Sequence, residues 1–175
     1  LLDLAHLQEK KMVLRKIISG GQTGADQGGI KAGSWENIET GGWIPNGFLT
    51  EDGPNPSLAK YGIKEHSSDK YPPRTFTNAK ESDGTIRFAV NFDTAGEKCT
   101  LKAIQQYNKP YIDVDVADPI SVQKVTDWII ENKIEVLNVA GNREKTWPGL
   151  CKFVENYLIE VIKLLRNKNE DSCSV

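Results

Sequence analysis

The chain has 175 residues, 22 Lys and Arg against 24 Asp and Glu, and a formal net charge of −2. That balance lacks the basic footprint of a general nucleic-acid binder. No apolar run reaches the length of a membrane span, and nothing at the start resembles a signal peptide.

Arg15 to Ser19 reads as a first strand, apolar and short enough to be buried, and Gly20-Gly21 ends it. A helix is expected from Gln22 or Thr23 to about Asn37. Its interior glycines, Gly28, Gly29 and Gly33, each cost up to about 1 kcal/mol against Ala, a cost that close packing against sheet or ligand would offset; a frayed or interrupted helix is the alternative. Ile38 to Gly42 is too short to assign as a strand. The stretch 43–73 is rich in proline and glycine and reads as one long folded loop over the glycine turn. Trp43, Ile44, Phe48, Leu49 and Tyr61 within it argue against disorder.

Pro73 suits a helix start, so a short helix is expected over Arg74 to Glu81. Thr85 to Asn91 is β-branched and aromatic and predicts a strand after the turn at Ser82-Asp83-Gly84. A helix from Glu97 to Tyr107, a strand from Pro110 and a helix opened by Asp118-Pro119 and ending near Asn132 follow. Ile134 to Ala140 is the last strand. The last helix, Pro148 to Leu165, carries an apolar stripe at helical spacing and is expected to face the core.

Strand and helix alternate throughout, which predicts an α/β fold: a mainly parallel sheet with helices on both faces. The chain divides into an N-terminal extension (1–14), a single ligand-binding domain (15–166) and a flexible tail (167–175). A domain of that length buries roughly 70% of the surface its unfolded form exposes, without help from disulfides or metals. Cys99, Cys151 and Cys173 are widely spaced and odd in number, the pattern of reduced thiols in a cytoplasmic protein.

In such sheets ligands bind beyond the carboxyl ends of the strands. The residues expected at that rim concentrate the polar chemistry. Gly20, Gly21, Gln22, Thr23 and Gly24 form a turn that leads into a helix, where unpaired amides and a partial positive charge suit an oxyanion. A purely structural turn is the alternative. Asp26 either complements the helix dipole or orients donors around a bound anion. Asp83 precedes a strand as a bare turn or as part of a site. Gly96 to Thr100 opens a helix and offers a second anion position. Asn138 to Glu144, with Gly141 inside it, ends the last strand with Arg143, either a bidentate partner for an oxyanion or a surface ion pair with Glu144. His66 stands alone in the loop and is expected to face solvent.

Taken in order, IISGGQTGADQGG, GGWIPNG, the EDGP of 51–54, RTFTNAKESDGT, the Gly96 to Thr100 segment, KPYIDV and IEVLNVAGNRE resemble the molybdenum cofactor carrier proteins. The likeness covers about Lys16 to Leu165. It implies a Rossmann-like three-layer fold related to lysine-decarboxylase-like nucleotide-binding proteins, usually oligomeric as a dimer or tetramer. It implies a carrier, not an enzyme, that binds and protects the molybdenum cofactor and hands it to molybdenum-enzyme recipients or receives it from cofactor synthesis proteins. Phosphate, sulfate or chloride would stand in when the cofactor is absent. The implied ligand set comprises Gly20, Gly21, Gln22, Thr23, Gly24, Asp26, Trp43, Asp83, Gly96, Thr100, Asn138, Gly141, Arg143 and Glu144, with no protein metal ligands.

This chain departs from the family at two places. It reads GADQ where the family usually reads GVDR, so Gln27 replaces a basic side chain. It carries Glu97 where a hydroxyl is common. The alternative class is a nucleoside-monophosphate phosphoribohydrolase-like enzyme, whose expected acid three residues beyond Thr100 is here Ala103.

Overall fold

A computed structural model describes residues 12–171. The first strand, β1 (Lys16–Ser19), places Ile17 and Ile18 in the core and leads into helix α1 (Ala25–Trp35). Strand β2 (Glu39–Ile44) follows, longer than the sequence indicated, because Trp43 and Ile44 pair with a further strand instead of entering a loop. The stretch expected to be one loop is built from several pieces. They are a small hairpin of β3 (Leu49–Thr50) and β4 (Gly53–Pro54), a 3-10 turn (Pro56–Tyr61) and edge strand β5 (Ile63–Glu65).

Helix α2 (Tyr71–Glu81) starts three residues earlier than expected, with Pro72 and Pro73 in its first turn, where a missing N–H costs nothing. The alternation then runs β6 (Gly84–Ala89), α3 (Ala95–Gln106), β7 (Tyr111–Asp115), α4 (Val122–Glu131), β8 (Val136–Gly141) and α5 (Leu150–Asp171). Helix α4 is capped by Ser121, whose side chain accepts from Lys124 N, and not by Asp118. Helix α5 continues through the first part of the stretch expected to be a flexible tail. Residues 1–11 and 172–175, and with them most of the extension and Cys173, lie outside the described residues.

The main sheet has the order β5-β2-β1-β8-β6-β7, and every neighbouring pair is parallel. All carboxyl ends therefore share one rim, the geometry expected from the alternation. Helices α1, α4 and α5 pack together, and α2 packs with α3. The interior glycines of α1 follow from that packing. A Cβ on Gly28 would lie 2.6 Å from Cys151 O, and one on Gly29 would lie 2.6 Å from Val139 Cβ. The apolar stripe of α5, from Val154 to Leu165, is buried as its spacing predicted. Each such large aliphatic side chain contributes about 1.5–3 kcal/mol on burial.

Candidate functional site

A cavity of about 530 Å³ opens at the carboxyl rim, between the β1–α1 turn, α2, the start of α3 and the end of β8. Gly20, Gln22 and Asp26 border it from the turn, and Tyr71, Arg74 and Asn78 from α2. Gly96, Glu97 and Thr100 do so from α3, and Asn138, Gly141 and Arg143 from β8 and beyond.

Three amides of the glycine turn are bonded within the protein. Gly21 N donates to Ser19 Oγ at 3.2 Å, Gln22 N to Asp26 Oδ2 at 3.2 Å, and Thr23 N to Gln22 Oε1 at 3.0 Å. The chain supplies its own carboxylate where an external anion was expected. Asp26 is 6% exposed, and burial pushes its pKa up to about 6. Arg74, the Gln22 and Gly20 amides and Arg143 only partly offset that rise. Gly21 has φ +73°, and a Cβ there would meet Ile44 Cδ1 at 2.8 Å, on the sheet side of the turn. A Cβ on Gly20 would instead meet Arg74 Cζ at 2.7 Å and Asp26 Oδ2 at 2.9 Å. Gly20 is the glycine that faces the cavity.

The other expected members are employed elsewhere. Thr23 Oγ1 donates to Glu51 Oε1 and accepts from Glu144 N. Gly24 abuts the backbone of Asn142 and Glu144. The Glu144 carboxylate accepts from Gly149 N at 2.7 Å and Cys151 N at 2.9 Å, so it caps α5 and forms no ion pair with Arg143. Asp83 sits at the opposite end of the sheet, its Oδ2 accepting from Glu135 N and Val136 N, because it precedes β6 instead of following it. Trp43 borders a separate open pocket with His66 and Thr77.

His66 is half-buried, not solvent-facing. Its Nδ1 accepts from Ser68 N, so Nε2 carries the proton and donates to Thr77 Oγ1 at 3.1 Å. Gln27 donates to Gly21 O at 3.1 Å and props the turn, so the cavity's positive charge comes from other side chains.

Those side chains are Arg74 and Arg143. Their guanidinium carbons lie 5.4 Å and 5.2 Å from the Tyr71 ring centroid. Neither has a carboxylate within ion-pair distance among the described residues. Burial lowers the pKa of Arg74, and Asp26 works against that shift.

Opposite them lies a charged network that is largely satisfied. Arg87, on the central strand β6, forks onto Asp113 at 2.8 and 2.7 Å and donates to Glu97 O at 3.1 Å. The Glu97 carboxylate is left 3.7 Å from Arg87, beyond hydrogen-bond reach. Burial pushes its pKa up to about 7, Arg87 pulls it down, and Asp26 and Asp113 raise it further.

Asn78, Asn138 and Asn142 spend their amides within the protein, on Trp43, Thr85 and the loop after β6 respectively. Three buried side-chain polar atoms lack a hydrogen-bond partner among the described residues: Gln22 Nε2, Arg74 Nε and Glu97 Oε2. All three belong to residues that line this one cavity. Orphaned buried polar groups are costly and rare in folded proteins, which makes this cavity the candidate site.

Sequence reasoning missed Tyr71, Arg74 and the cavity role of Glu97. The signal for the first two was the Tyr-Pro-Pro-Arg start of α2, read as a helix entry only. No cluster of three or more His, Cys, Asp or Glu side chains able to hold a metal occurs among the described residues.

The sequence model of the circularly permutated YpsA SLOG family matches residues 17–162. A solved structure, the "Putative molybdenum carrier protein" from Syntrophus aciditrophicus SB, is 34% identical, with TM-score 0.78 over 86% of this chain and 96% of that chain. Comparison with curated proteins returns no match. With nearly the whole domain matched in both sequence and fold, the chain belongs to the circularly permutated YpsA SLOG family, in agreement with its resemblance to the molybdenum carriers.

Proposed function

We propose that the protein binds the molybdenum cofactor in the rim cavity, shields it and passes it on, without chemistry of its own. The observation that carries this reading is the convergence of Gln22 Nε2, Arg74 Nε and Glu97 Oε2, unpartnered and buried, on one cavity of about 530 Å³. A pterin bearing a phosphate and an oxidised metal has an anionic end and a hydrogen-bonding ring. Arg74, which gives only Nη1 to Thr75 Oγ1, and Arg143 carry the charge for the first, and a polar wall is present for the second. The name of the structural neighbour points the same way.

The anion is held by guanidinium groups and not by turn amides, since Asp26 already occupies Gln22 N. Phosphate, sulfate or chloride would take the same place in the cofactor's absence. The metal arrives with the pterin, so no protein ligand cluster is required. A cytoplasmic dimer or tetramer that serves a molybdenum enzyme or a cofactor synthesis protein completes the reading.

The test is reconstitution. Cofactor mixed with the purified protein should decay more slowly in air than free cofactor, and should then restore activity to a cofactor-free molybdenum enzyme. Unchanged decay overturns the reading.

One observation favours a second reading, a phosphoribohydrolase-like enzyme. Glu97 lines the cavity and would stand in for the acid absent at Ala103, as burial pushes its pKa up to about 7, a value that suits a general acid or base. Release of free base from a panel of nucleoside monophosphates would establish it.

A further inference from the structure

The three orphaned atoms differ in kind, and the difference constrains the ligand. Gln22 Oε1 accepts from Thr23 N at 3.0 Å and from Glu51 N at 2.8 Å. Two backbone donors on that atom fix the orientation of the amide, so the unpartnered Nε2 is a donor. Arg74 Nε is a donor by chemistry. Both lie by the β1–α1 turn, where a Cβ on Gly20 would touch the Arg74 guanidinium. Glu97, on the first turn of α3 and 2% exposed, supplies the one orphaned acceptor.

Arg87 Nη1 stands 3.7 Å from that acceptor, an ion pair without a hydrogen bond. Arg87 is already spent on both Asp113 oxygens and on the Glu97 carbonyl. Thr94 Oγ1 accepts from Glu97 N and pins the helix start. A Cβ on the neighbouring Gly96 would meet nothing within 4 Å, so the helix start beside Glu97 is open, and both residues line the cavity.

We propose that Glu97 selects a ring with two adjacent N–H donors on one edge, the 2-amino-4-oxopyrimidine edge shared by pterins and guanine, while Gln22 and Arg74 bind the ligand's oxygen acceptors. The proposal rests on the reading of this cavity as the ligand site. A carboxylate has only acceptors, and its two oxygens match two parallel N–H groups as they match an arginine fork. Hypoxanthine lacks the 2-amino donor. Adenine turns a ring-nitrogen lone pair toward the carboxylate, so it leaves the buried acceptor facing another acceptor.

The experiment titrates the full chain at pH 8 with four metal-free probes: a 6-substituted pterin phosphate, guanosine, inosine and adenosine 5′-monophosphates. The pterin and guanine probes are expected to bind at least about tenfold more tightly than the other two. Glu97→Gln, and Glu97→Thr as a second variant, are expected to collapse that preference while keeping the wild-type circular dichroism and a cooperative melting transition. Equal binding of the guanosine and inosine probes by wild type overturns the proposal, as does absence of binding by all four. A preference that survives in either folded variant also overturns it. None of the probes carries molybdenum. A guanine and pterin preference in a protein that fails to protect the cofactor therefore supports this assignment and removes the carrier reading. Protection without the preference does the reverse.

Discussion

The glycine turn at residues 19–24 and the guanidinium pair at residues 74 and 143 border the same crevice but use their polar groups in opposite ways. Three of the turn's amides, those of Gly21, Gln22 and Thr23, are taken by the Ser19, Asp26 and Gln22 side chains. The two arginines have no carboxylate within ion-pair distance among the described residues, and Arg74 Nε is buried without a partner. A polar group already bonded within the protein gains little from a ligand, whereas an unpaired one gains the full bond. The region that looks most like an anion site in sequence is the scaffold, and the region that looks like an ordinary helix start holds the charge.

The largest expected effect separates the two directly. Arg74→Ala should weaken binding of a pterin phosphate about 100-fold and Arg143→Ala about tenfold, as charge-assisted hydrogen bonds of about 1.5–3 kcal/mol are lost. Isothermal titration reads both. Full affinity in Arg74→Ala would return the anion to the turn.

Next in size is a pH effect on stability. Asp26 is raised from 3.8 to about 6 and Glu97 from 4.5 to about 7, so the folded state holds both protons more tightly than the unfolded chain. Their contribution to stability is therefore greatest below about pH 4 and declines as pH rises to about 7, by a few kcal/mol at most. Urea denaturation from pH 4 to 8 should show a flatter profile for Glu97→Gln, with the gain over wild type appearing at the alkaline end. A profile as steep as wild type would mean that Glu97 is not buried against its charge.

A pair of glycine substitutions sharpens the comparison further. Gly21→Ala, at φ +73° and against Ile44, should cost about 1–2 kcal/mol of stability and leave affinity alone. Gly20→Ala should instead displace the Arg74 guanidinium, lowering affinity about tenfold with little change in melting temperature. The reverse pattern would restore the turn as the ligand cradle. The smallest effect belongs to Glu144→Ala, which removes the acceptor for Gly149 N and Cys151 N and should cost about 1 kcal/mol without touching affinity.

Much of the candidate cavity's lining was legible in the sequence. Strand–helix alternation put Gly20, Asp26, Gly96, Asn138 and Arg143 at one rim, because parallel strands align their carboxyl ends. Asp83 was misplaced because a turn before a strand and a turn after one look alike in composition. Trp43 and Glu144 were drawn in by their neighbours in sequence, and side-chain direction sent them elsewhere. Arg74 was passed over because nothing in Pro-Pro-Arg says that the guanidinium will line a cavity with its Nε unpartnered.

By itself the sequence determined the layer order, the rim and the tight packing of α1, since periodicity, turn glycines and alternation are local properties. The family likeness covered the same span. Only the tertiary structure decided which of the rim's polar groups are spent and which are left over. Hydrogen-bond satisfaction is a property of contacts between distant segments, such as Gln22 with Glu51 and Arg87 with Asp113, and no local pattern records it.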